Sequence, residues 1–103
     1  MIEGNVRREG SDPLSRERVG EMADRKELTR AVELALAGDW KAAHEIVQQD
    51  EEDATSCWIH AVLHKIEGDA GNSRYWYRRA GQSYESYADA KAELAAIKAV
   101  LTY

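Results

Sequence analysis

Two glycine–aspartate pairs, Gly38-Asp39 and Gly68-Asp69, stand 30 residues apart and divide the middle of the chain into two copies of one pattern. Glycine accepts the left-handed conformation in which helices commonly end. Aspartate is among the best residues for opening the next helix. Side by side, the two close one helix and begin another with no linker, so each pair predicts a tight helix–turn–helix corner. The flanks repeat too. At the same offset Ala31 and Val32 match Ala61 and Val62, Leu36 meets Ile66, Ile46 meets Trp76, and Val47 meets Tyr77. The fold class that follows is all-α: two antiparallel helical hairpins plus a C-terminal helix, packed as one bundle.

Apolar spacing gives the boundaries. Leu28, Ala31, Val32, Ala35 and Leu36 recur at i, i+3, i+4, i+7 and i+8, one face of a helix. Asp24 and Glu27 have capping-box spacing at its start. Asp39 opens a second helix carrying Trp40, Ala43, Ile46 and Val47 inward and ending near Gln49. The acidic run Asp50 to Asp53 leads into a third helix, Ala54 to Glu67, apolar around most of its circumference and so expected at the centre. Asp69 or Asn72 caps a fourth helix that ends at Gly81, and a last helix is expected from Tyr84 to Leu101 with Ala90, Leu94, Ile97 and Leu101 inward. Residues 1–23 are rich in Arg, Glu, Gly and Ser, and read as a weakly ordered segment. Ser11-Asp12-Pro13 offers the start of one short helix there, which Gly20 would soon weaken. The single helical domain is expected over residues 24–103.

The corner sequences Gly38-Asp39-Trp40-Lys41-Ala42-Ala43 and Gly68-Asp69, followed by Trp76-Tyr77-Arg78-Arg79-Ala80, resemble tetratricopeptide-type repeats and their Sel-type relatives over about residues 26–81. The resemblance implies a tetratricopeptide-like hairpin fold and a role in binding other proteins. Two departures count: the offset of 30 is shorter than the roughly 34 residues of a tetratricopeptide unit, and two copies are fewer than an open array needs. A closed bundle is therefore expected. The stretch from Trp58 to Gly81 also resembles small bacterial proteins with a Trp-Ile-His-Ala…Leu-His…Glu-Gly-Asp…Tyr-Trp-Tyr-Arg-Arg-Ala-Gly pattern. That likeness implies a family and supplies no activity.

Composition narrows the function. A net charge of −5 opposes a broad electrostatic grip on nucleic acid or anionic membranes. No apolar run approaches the roughly 20 residues of a membrane-spanning helix. The lone cysteine and the polar N-terminus, Met1-Ile2-Glu3-Gly4-Asn5-Val6-Arg7-Arg8, point to a reducing, cytoplasmic setting. Phosphate-binding loops, His-Glu-x-x-His and Gly-x-Ser-x-Gly are missing, so no cofactor and no catalytic residue is expected.

Two clusters remain as candidate sites. Cys57, His60, His64 and Glu67 follow at i, i+3, i+7 and i+10, within an arc of about 80° on the third helix. A thiol, two imidazoles and a carboxylate on one stripe have the chemistry to ligate a transition metal, with His44 the only further histidine. The structural alternative fills the core with Cys57 and leaves the histidines bonding carbonyls or carboxylates such as Asp53 and Glu67. Arg74, Tyr75, Arg78 and Arg79, interleaved with Trp76 and Tyr77, form a candidate anion or partner patch. The aromatics would otherwise be hairpin core and the arginines solvated or paired. Trp40, Trp58, Tyr75, Tyr84, Tyr87 and Tyr103 are too many to bury fully in 103 residues, so some are expected at a surface that meets a partner. The leading expectation is a protein-interaction or self-association module, with nucleic acid and membrane not expected. The alternative is a metal- or small-ligand-binding protein using Cys57, His60 and His64.

Overall fold

The computed structural model describes the backbone of residues 13–102 and the side chains of residues 25–102. Among them are five α-helices and no strand: α1 (Pro13–Leu36), α2 (Trp40–Val47), α3 (Ala54–Glu67), α4 (Ala70–Ala80) and α5 (Ala90–Thr102). The chain is an all-α bundle. Helix α3 is its centre and packs against each of the other four, most extensively against α4. Ile59, Ala61, Val62 and Leu63 of α3 are completely buried. Around them stand Leu28, Ala31, Val32 and Ala35 of α1, Ala43 and Val47 of α2, Tyr77 of α4, and Leu94, Ile97 and Leu101 of α5. An apolar circumference puts α3 in the middle because water on any side would cost burial energy.

Both Gly-Asp corners have the same geometry. Gly38 and Gly68 sit at φ +91° and +83°, where a Cβ is strained. At each, the glycine amide reaches back three residues and the aspartate amide five: Gly38 to Ala35 and Asp39 to Leu34, Gly68 to Lys65 and Asp69 to His64. These paired bonds satisfy the last carbonyls of the ending helix. The aspartate side chain then accepts from the third residue of the next helix, the Ala42 amide for Asp39 and the Asn72 amide for Asp69. Contacts across the second corner are symmetric about it: Ser73 Oγ donates to the Ala61 carbonyl at 2.6 Å, and Trp76 stacks on His60. Asp53 likewise caps α3 through the Ser56 amide at 2.9 Å.

Three expectations need correction. Pro13 does open a helix, but that helix runs unbroken to Leu36, so Asp24 lies inside it rather than capping it. Residues 1–12 of the expected weakly ordered segment, and Tyr103, lie outside the described residues. The last helix begins at Ala90, not Tyr84. Gly81 ends α4 with the same paired bonds, yet Gln82 follows it instead of an aspartate, so nothing caps a new helix there. Lys65 Nζ instead takes the carbonyls of Tyr84 and Tyr87, at 2.9 and 3.1 Å, and a helix waits for Asp89, whose carboxylate accepts from the Lys91 amide. Finally, Trp40 points outward, 45% exposed, while Ala43 and Val47 supply the inward face of α2. No helix among the described residues is long and apolar enough to cross a membrane.

Among the described residues, one carboxylate lies fully inside. Glu93 of α5 is 0% exposed. Its carboxylate accepts from Trp58 Nε1 at 2.8 Å, Tyr77 Oη at 2.7 Å and Lys65 Nζ at 3.1 Å. Burial, reinforced by the bond to Glu93, drives the Tyr77 phenol far above its usual pKa, so it stays a neutral donor. This network ties α3, α4 and α5 together.

Candidate metal centre

His60 and His64 lie one turn apart on α3, so their rings meet on one face. They stack at 5.0 Å between centroids, 16° from parallel. Helix α2 brings His44 edge-on to both rings, at 4.7 and 5.3 Å. His44 Nε2 and His60 Nε2 are 2.9 Å apart. One nitrogen from each of the three rings lies within 4.8 Å of the others. Trp76 of α4 covers the opposite side of His60, 4.0 Å between centroids and 14° from parallel.

The electrostatics favour a neutral His60 ring. Burial, followed by repulsion from His44 and His64, pushes the His60 pKa down to about 3. A neutral imidazole exposes a bare lone pair, the form that binds a metal. The cluster is also incompletely satisfied: Nδ1 of His60 and Nδ1 of His64 are buried with no hydrogen-bond partner among the described residues. Glu67 Oε1 lies 3.3 Å from His64 Nδ1 and Asp69 Oδ2 3.8 Å. The Glu67 contact is short but is not a hydrogen bond.

The stripe expected on α3 is therefore divided. His60 and His64 belong to the centre. Glu67 touches only the outer nitrogen of His64. Cys57 is not part of it: its Sγ donates to the Glu51 carbonyl at 3.3 Å, and burial raises its thiol pKa, the behaviour of a core thiol. The missing third imidazole is His44, which the spacing along α3 could not supply because it arrives from a different helix. Its signal was its place in a helix folded next to α3.

The arginine patch disperses. Arg74 pairs with Glu85 at 2.7 Å and lies over the Tyr84 ring. Arg79 donates to the Glu51 carbonyl and reaches over Trp76. Arg78 makes no ion pair with a described residue and lines, with Arg74, Tyr77 and the 82–85 turn, an open groove of about 260 Å³. Tyr75 is 44% exposed. No histidine lines that groove.

Comparison with protein families, curated proteins and solved structures found no match to this chain.

Proposed function

We propose that the chain binds a divalent transition metal through His44, His60 and His64. The observation that carries this reading is the convergence of three imidazole nitrogens within 4.8 Å, from two different helices, with no acidic group or thiol among them. Two ligands on one tetrahedral zinc, each at about 2.0–2.1 Å, stand about 3.3 Å apart. The His44–His60 nitrogens, at 2.9 Å, are already near that spacing, and His64 closes in by a side-chain rotation. A proton shared between those two nitrogens holds the pair together; a metal ion replaces it with a stronger link. Three neutral nitrogens suit zinc, copper, nickel or iron, and leave the full ionic charge to attract a water or an anion as a further ligand. The test is calorimetric titration of the chelator-treated full chain with Zn²⁺, with His44→Ala and His64→Ala beside it. One ion per chain is expected, lost in both variants. No uptake by the wild-type chain sinks the reading.

A second reading is association with another protein or another copy. Trp40 and Tyr75, both nearly half exposed, and Val100, 52% exposed, favour it, as does the tetratricopeptide- and Sel-type likeness of the corners. Light scattering of wild type against Trp40→Ala and Tyr75→Ala tests self-association. A monomer at every concentration leaves only a foreign partner for this reading.

A further inference from the structure

We infer that Glu67 and Asp69 are positioning residues for that metal: they hold the Nδ1 proton of His64 and so present its Nε2 as the ligand. This rests on the three-histidine reading. A neutral imidazole carries one proton, and a ring that ligates through one nitrogen needs an acceptor for the N–H on the other. His64 Nδ1 is buried, has no hydrogen-bond partner among the described residues, and faces Glu67 at 3.3 Å and Asp69 at 3.8 Å. A small rotation of the half-exposed Glu67 carboxylate completes the bond. Negative charge there also raises the basicity of the ring and offsets part of the ionic charge that three neutral ligands leave uncompensated.

The internal repeat supplies a control inside the same molecule. At the 30-residue offset, Leu34, Ala37 and Asp39 stand where the second copy has His64, Glu67 and Asp69. The first corner has the same backbone conformation and the same cap, with an alanine in place of Glu67 and a leucine in place of His64. The corner itself therefore does not require Glu67. Asp69 is needed as a cap, holding the Asn72 amide and side chain at 3.4 and 2.8 Å. Asparagine serves that role about as well as aspartate. Asp69→Asn thus removes the charge and keeps the corner.

The experiment titrates Zn²⁺ into the full wild-type chain, Glu67→Gln, Asp69→Asn and the double variant. It also reads the His64 tautomer in each metal-free protein by long-range ¹H–¹⁵N NMR. Wild type is expected to hold the proton on Nδ1. Each variant is expected to lose about tenfold in Zn²⁺ affinity, to lose the tautomer preference, and to melt as wild type does without metal. Affinities within twofold of wild type overturn the assignment, whatever the tautomer. A loss of affinity with the tautomer unmoved overturns it as well, since long-range charge then accounts for the loss. Wild-type protein that takes up no Zn²⁺ removes the three-histidine reading, and this role with it. Equal uptake by all four chains removes the positioning role alone.

Discussion

Helix α3 carries polar side chains into two parts of the bundle, and their surroundings differ. Around Glu93, one carboxylate meets three donors, and every charged or polar atom of Lys65, Trp58, Tyr77 and Glu93 in the network has a partner. Around His44, His60 and His64, two buried ring nitrogens have none among the described residues. A buried polar group left without a partner costs about 1–3 kcal/mol. The first cluster is what a fold uses to fix its register. The second leaves hydrogen-bonding capacity unused, which is the observation the proposed metal site builds on.

The same substitution in the two clusters separates these roles. Glu93→Leu leaves the Lys65 ammonium unpaired and two donors unanswered, so unfolding free energy should fall by about 3–5 kcal/mol in urea titration. A drop under 1 kcal/mol would show that the network does not anchor α5. Next in size is the effect of metal. Zn²⁺ at one hundred times its dissociation constant should raise stability by about 2.7 kcal/mol, and His44→Ala should abolish the gain; an equal gain in that variant places the ion elsewhere.

Acid should act on the histidine cluster. In the folded, metal-free chain the His60 pKa lies near 3, below its ordinary 6.5. Between those values the unfolded chain binds a proton that the folded chain refuses. Stability is therefore full above pH 6.5 and falls by about 1.4 kcal/mol per pH unit below it, about 2 kcal/mol by pH 5. Denaturation midpoints across that range measure the slope, and His60→Phe should flatten it. The smallest effect belongs to His64→Leu. It removes a nitrogen without a described partner from a largely buried position and should shift stability by less than about 1 kcal/mol while eliminating metal uptake. A large loss there would make the histidines structural after all.

Much of this was readable from residue order because it is local. The two Gly-Asp corners, the extent of α3 and its central place follow from caps and apolar spacing within a few residues. The start of α5 was not readable, because it depends on the Lys65 ammonium, nearly twenty residues upstream, claiming the Tyr84 and Tyr87 carbonyls. The site was half readable. His60 and His64 share a turn, but His44 joins them only through the packing of α2 on α3, and Cys57, in register on paper, turns toward Glu51 instead. Glu93 gave a faint sign, an acid in the row of Ala90, Leu94 and Ile97, whose meaning required knowing which donors face it.

The flat stacking of Trp76 on His60 gives the molecule an optical readout of its own. An indole excited in the ultraviolet loses its energy readily to a neighbouring ring that carries positive charge or a paramagnetic ion. Emission from one of the three tryptophans should then report protonation of, or metal uptake at, the imidazole beside it. Cu²⁺ or acid should dim it, a closed-shell ion should not, and the remaining light from Trp40 and Trp58 sets the baseline, with no label attached to the chain.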